Sequence, residues 1–331
     1  MHLASLGRIG RLRRPLRGSI LLLVAFLLLA APAAGSDPGR WQYVGANATP
    51  IRYFQGMTPD DLGQVYFNGV TQGVYRTANG TENGGHYHII PRGVWKRERY
   101  NHIGAIAFSR GRLLLPLECY YPGRRRSPCR TGAIGFANRN LRWLYYVKLS
   151  TQEIRQAMWA AVSSDGQTLW TSSGHWLLGY RMADLGAGNA APHGPVVHAY
   201  RSLPAPIRPG HRGPGITGGT FLGSRLLVAG RQGSRQRVWS IDTVTGAMQL
   251  EIERSDRGES EGLAIFGGQL HWQVQPFTSA YSKRHPNHRH GLVLHFLPRR
   301  QAPTAPPSPA RPPPARPCID PFERLLGVCG H

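Results

Sequence analysis

The chain has 331 residues; 41 are glycine, 27 are proline and only 17% are charged. So many helix breakers exclude a helical bundle or coiled coil, the glycines lack the three-residue period of collagen, and 8 tryptophans with 13 tyrosines are too many for a disordered chain. Basic residues outnumber acidic ones 40 to 17, giving +23, and because Lys96, Lys148 and Lys283 are the only lysines, 37 of the 40 are arginine.

At the N-terminus five arginines (Arg8, Arg11, Arg13, Arg14, Arg17) precede the apolar run ILLLVAFLLLAAPAA at 20–34. A basic stretch, an apolar run and small residues up to Ala33–Ser36 predict a signal peptide over 1–35. A membrane span needs about 20 apolar residues. Pro32 stops this run early, and an uncleaved anchor is the alternative. The expected location is therefore secreted, periplasmic or attached to the cell envelope. No acidic residue occurs before Asp37, so taking those five arginines from +23 leaves a body near +18. Such a surface favours an anionic glycan, an anionic lipid or an acidic envelope protein as partner. No nucleic acid is expected, since no basic helix or aromatic RNA platform is read, and the chain is expected to be a monomer.

The middle of the chain, 36–298, repeats a pattern. Apolar strand, Gly- or Asp-containing turn, second apolar strand and a third ending in polar residues recur from Gln55, His102, Trp159, Thr217 and Glu261. Short β-rich units at a spacing of about 50 residues predict an all-β fold, a single β-propeller. Five units are counted, and residues 186–215, with one strand in VVHAY, leave room for an irregular sixth blade. The fifth unit lacks a fourth strand. Trp41-Gln42-Tyr43-Val44 is predicted to supply it from the N-terminus and so remove an exposed sheet edge. A β-sandwich of equal strand count would not recur at this interval.

Within the fourth unit, Val238-Trp239-Ser240-Ile241 alternates as a strand, and Asp242 with Thr245-Gly246 turns the chain into MQLEIE. That strand–turn–strand resembles the outer hairpin of YVTN-type and quinoprotein-like propeller blades, and the pattern extends over the central region. The resemblance implies that the start of each first strand and the end of each second strand meet at one mouth of a central channel. Those positions hold Gln55 and Asn68, His102 and Glu118, Ser172 and Ser173, Thr217 and Arg231, and Glu259, Glu261 and Gln273. Polar groups over apolar strands suit a ligand site.

Glu118 and Glu261 are the carboxylates to which chemistry can be assigned. The chain is also similar to secreted lactonases of the gluconolactonase type. That similarity implies calcium held by Glu118 and Glu261 with Gln55 and Asn68, although no aspartate stands at a first-strand start. Glu118 or Glu261 with His102 would alternatively form a general acid and base. Cys119 and Cys129 enclose nine residues, Cys318 and Cys329 ten, and local disulfides are the simplest pairing in an oxidising compartment. Arg124, Arg125 and Arg126 inside the first loop offer three guanidinium groups to an acidic ligand over the same mouth. His285, His288 and His290 in KRHPNHRH read as an exposed loop, and Tyr87 between His86 and His88 as a strand whose histidine side faces water. Residues 299–317 form a Pro-rich linker, and 318–331 a disulfide-closed terminal loop.

No Gly-x-Ser-x-Gly, P-loop or His-Glu-x-x-His occurs. The favoured expectation is a non-catalytic propeller that binds an acidic ligand or envelope partner at its channel mouth. A calcium-dependent lactonase or esterase using the mouth glutamates, and an envelope scaffold docking through its Pro-rich tail, are the alternatives.

Overall fold

The computed structural model describes residues 40–299, apart from 70–71, 79–80, 120–128, 130, 150–153, 155–156, 174–175, 187–196, 201–214, 233–234, 256–257 and 277–289. The expected signal peptide, Arg124–Arg126, His285, His288, the Pro-rich stretch and the Cys318–Cys329 pair lie outside the described residues.

The strands form five sheets in chain order. β1 (Trp41–Pro50) comes first but belongs to the last sheet. The first blade is β2 (Gly56–Pro59), β3 (Val65–Asn68), β4 (Val74–Ala78) and β5 (Thr81–His86). A helix α1 (Arg92–Glu98) leads into the second, made of β6 (His102–Ile103), β7 (Ala107–Ser109), β8 (Arg112–Glu118), β9 (Ala133–Asn138) and β10 (Trp143–Lys148). The third holds β11 (Ala161–Val162), β12 (Thr168–Ser173), β13 (Trp176–Arg181) and β14 (Val197–Tyr200). The fourth holds β15 (Ile216–Leu222), β16 (Arg225–Gln232), β17 (Arg235–Asp242) and β18 (Met248–Arg254). The fifth is β19 (Gly258–Phe266), β20 (Gln269–Pro276) and β21 (His290–Pro298), completed by β1. Innermost strands touch in the order β2, β7, β11, β15, β19 and back to β2, which makes the five sheets a five-bladed β-propeller.

Two expectations meet different fates. β1 pairs antiparallel with β21 from Trp41↔Pro298 to Pro50↔His290, so the N-terminal strand does close the ring. The sixth blade does not exist among the described residues: Val197–Tyr200 pairs with β13 as the outer strand of the third blade. Among the described residues this strand pairs with β13 alone. The 240–246 hairpin is as expected. Asp242 Oδ1 accepts from Val244 N and Thr245 N, both at 2.9 Å, and Gly246 takes a φ of 74°.

The core lies in the seams between blades, and side-chain alternation assigns its members. On β8, Leu113, Leu115 and Leu117 pack with Tyr66 and Val74 of the first blade, while Leu114 packs with Leu169 and Leu178 of the third. On β16, Leu226 and Val228 face Trp170 of the third blade, and Leu227 and Ala229 face Trp272 of the fifth. Period-two alternation with both faces buried gives an unbroken apolar run. Each inner hairpin turns on a glycine of positive φ: Gly63, Gly111, Gly166, Gly223 and the pair Gly267-Gly268. Glycine reaches that region without the steric cost of a Cβ.

Around the channel a second glycine set permits close approach. A Cβ at Gly104 would lie 2.0 Å from the Met158 carbonyl oxygen, one at Gly218 2.1 Å from that of Glu261, and one at Gly262 2.8 Å from Gly56 Cα. Inner strands of the second and third blades even hydrogen-bond directly, with Ala105 N donating to Met158 O at 2.9 Å and Ala160 N to Ala105 O at 3.0 Å. Gly104→Ala is therefore expected to destabilise by about 1–3 kcal/mol or more. Gly93→Ala, in the exposed first turn of α1 with open space around it, is expected to be stabilising by about 0.5–1 kcal/mol. Urea unfolding of the two variants checks the contrast, and equal midpoints would refute the close-approach argument.

Candidate functional site at the channel mouth

The inner strands start at one face, and there the two-residue β6 sets His102 opposite Glu118 in the ladder. Their side chains are buried, with His102 Nδ1 3.6 Å from Glu118 Oε1. On β19 a register shift between Ser260 and Leu263 accommodates Glu261 and Gly262. Gln55, one residue before β2, donates from Nε2 to Glu261 Oε2 at 2.9 Å and so ties the first blade to the fifth.

The carboxyls modify one another. Burial pushes Glu261 well above the usual carboxylate range, and the charges of Glu259 and Glu118 push it further. Burial also raises Glu259; Arg231 opposes that rise, Glu118 adds to it and His102 opposes it again. Ionisable groups from the second, fourth and fifth blades thus share one electrostatic neighbourhood. They stand in two tiers. Gln55, Arg231 and Glu259 are half-buried, while Asn68, His102, Glu118, Glu261 and Gln273 are buried beneath.

Part of the predicted ring closes seams. Asn68 Nδ2 donates to the carbonyls of Ile103 at 2.8 Å and Gly104 at 3.1 Å, clasping the first blade to the second. Ser172 Oγ accepts from Trp159 Nε1 at 2.7 Å within the third blade, and Thr217 Oγ1 donates to Ala229 O at 3.5 Å. The side chain of Ser173 lies outside the described residues. Gln273 is fully buried, and neither of its amide atoms has a hydrogen-bond partner; nor does Asn68 Oδ1.

The residues expected to hold calcium are otherwise engaged here. Among the described residues no three His, Cys, Asp or Glu side chains form a group that could hold a metal ion. Gln55 moreover turns an N–H, not an oxygen, toward Glu261.

Cys119 and Cys129 form a disulfide with Cα atoms 5.4 Å apart, both ends buried. Tyr87 sits just past the end of β5, 68% exposed together with its flanking histidines, its ring edge-on to Tyr75. Two features escaped the sequence reading. One is α1, a helix with exposed Arg92, Lys96 and Arg97, where no basic helix was expected. The other is the channel glycine set, for which the signal was present: Gln55-Gly56, Ile103-Gly104, Thr217-Gly218 and Glu261-Gly262 each put a glycine next to or near a mouth residue. The other end of the channel, where Pro59, Ser109 and Phe221 line a cavity of about 410 Å³, carries Arg110 and Asp165.

Neither a protein-family model nor a curated protein matches the chain. Solved structures do resemble it. A glutaminyl cyclase from Myxococcus xanthus is 9% identical, with a TM-score of 0.48, covering 78% of this chain and 96% of that one. A luciferin-regenerating enzyme is 15% identical at a TM-score of 0.43, covering 76% and 95%. The aldose sugar dehydrogenase of Streptomyces coelicolor, in its PQQ-bound form, is 13% identical at 0.40, covering 81% and 99%.

A raised carboxyl pKa has a definite sign for stability. Between the unfolded and folded pKa values the native state holds more protons, so stability falls as pH rises through that window. Relative to Glu261→Gln, the wild-type protein is expected to lose stability from pH about 4.5 upward, while His271 and His295, whose pKa values burial lowers, raise the stability of both proteins over the same range; at pH 7 Glu261→Gln is expected to equal or exceed wild type. Unfolding midpoints across pH 4–8 decide it; parallel profiles for the two proteins would exclude a protonated Glu261.

Proposed function

We propose that the chain is an exported, non-catalytic binding propeller that takes an acidic group of a ligand or envelope partner at its channel mouth. Arg231 carries this reading. It is a half-buried guanidinium beside a carboxyl, Glu259, that burial holds toward the protonated form against the opposing charge of Arg231. Three ionised glutamates would repel an acidic ligand. With burial holding Glu259 and Glu261 toward the protonated form, less carboxylate charge opposes the attraction of Arg231 for the ligand's oxygens, and the Glu259 carboxyl donates a hydrogen bond. An anion arriving there raises the Glu259 pKa again, so binding takes up a proton and is stronger in mild acid. The basic body adds long-range attraction, and the Cys119–Cys129 disulfide agrees with an oxidising address.

An array of uronate- and sulfate-bearing oligosaccharides tests this. Retention is expected to fall about tenfold or more in Arg231→Gln and to weaken from pH 5 to pH 8 in wild type but not in Glu259→Gln. Equal retention by wild type and Arg231→Gln would overturn the assignment. The 3.6 Å approach of His102 to Glu118 favours one other reading, metal-free acid–base hydrolysis. Turnover of any ester or lactone that disappears in Glu118→Gln would bring it forward.

A further inference from the structure

Outboard of the mouth, the second blade carries a cavity of about 440 Å³. It lies where β8 ends, β9 begins and β10 ends, on the same face as the mouth. Four cations line it: Lys96, Arg97 and Arg99 from α1 and the residue after it, and Lys148 from the end of β10. Against them stands one carboxylate, Glu98, already fully engaged. Lys148 Nζ is 2.8 Å from its Oε2, while Arg97 Nε and Tyr146 OH each reach its Oε1 at 3.0 Å. Burial pulls the Glu98 pKa upward, but the hydrogen bonds from Lys148, Arg97 and Tyr146 outweigh it and hold the group ionised.

The walls are fixed by the fold. Buried Tyr100 donates to Thr131 O at 2.9 Å, Thr131 Oγ1 donates to Leu149 O at 2.5 Å, and the Cys119–Cys129 disulfide sits against the Glu98 carbonyl. Four cations less one carboxylate leave an excess of three positive charges. Beside Glu98 the polar lining side chains are four cations and the Tyr100 and Thr131 hydroxyls, both of which already donate to backbone carbonyls, so donors outnumber acceptors. A single carboxylate would leave most of that excess uncompensated; a phosphate monoester brings about −1.5 to −2 and three acceptor oxygens. The sequence adds an independent point. In a chain with 37 arginines and three lysines, two of the three lysines line this one cavity. The compact ammonium approaches a phosphate oxygen as a point charge, alongside the guanidinium forks.

We propose that this cavity is a binding site for a phosphate-bearing group, separate from the channel mouth. Two sources share that chemistry, a soluble phosphate ester and a phospholipid headgroup. Trp95 on α1, 41% exposed, would sit at the surface of a bilayer in the second case.

The exported protein is tested in two arms: phosphorus NMR titration with inorganic phosphate and phenyl phosphate, and co-sedimentation with phosphatidylcholine vesicles containing phosphatidylglycerol. Lys96→Gln/Lys148→Gln is expected to lower binding about tenfold or more, and Arg99→Gln to weaken it without touching the Glu98 cluster. Arg142→Gln/Arg181→Gln removes the same charge elsewhere on the surface and is expected to change binding less than twofold. Phosphate binding without vesicle binding assigns a soluble ester; vesicle binding displaced by phenyl phosphate assigns a headgroup. Failure of wild type to bind either probe at low salt, or an equal loss in the distal arginine pair, overturns the site.

Discussion

The close approach of inner strands around the channel is the constraint on which the rest of this propeller depends. Five blades meeting at one axis leave no room for side chains where backbones pass, and Gly56, Gly104, Gly218 and Gly262 stand at those points. That proximity brings residues more than a hundred positions apart, such as Gln55 and Glu261, within hydrogen-bond distance. It also explains why the mouth is polar. Backbone groups at the strand ends need partners, and Asn68 supplies them across a seam while leaving its own carbonyl oxygen without a partner.

The same packing makes the site electrostatically unusual. A carboxyl at a strand end is ordinarily solvated and ionised. Here Glu261 is buried and faces Glu259 and Glu118, so its proton is held by repulsion as well as by desolvation. Arg231 and His102 offset part of that charge. The carboxyls of this mouth are held above the ordinary carboxylate range, whereas the outboard cavity sets two lysines and two arginines against one ionised carboxylate, Glu98.

Much of the architecture was legible because second strands are buried on both faces. RLLLPLE and RLLVAGRQ are unbroken apolar runs for that reason, and a glycine turn before each marks the inner hairpin. The closing role of Trp41–Val44 was readable from a blade lacking a strand. The membership of the mouth followed once the topology was assumed. What could not be read was cross-blade coupling. Nothing local to Glu259 indicates Arg231 or Glu118, and nothing in HIIPRGVWKRERY shows an apolar stripe. α1 buries no residue, starts after Pro91 at φ −58° and stops at Arg99 in the left-handed region, so its position is set by the chain around it. VHAY misled for the opposite reason: its strand propensity was real, but strand propensity does not say which edge a strand joins.

β1 and β21 bring residues 40 and 299 together, with Arg299 N donating to Arg40 O at 2.6 Å. The ring is covalent everywhere except at this one blade, where hydrogen bonds alone hold it shut. A short peptide joining residue 299 to residue 40 would therefore complete the circle, and new ends opened between any other two blades would yield a circular permutant with the same ladder of strands. In such a molecule the segments that precede residue 40 and follow residue 299 could be reattached at any chosen blade. Ring closure and the place where the chain ends are thereby separable properties of this fold.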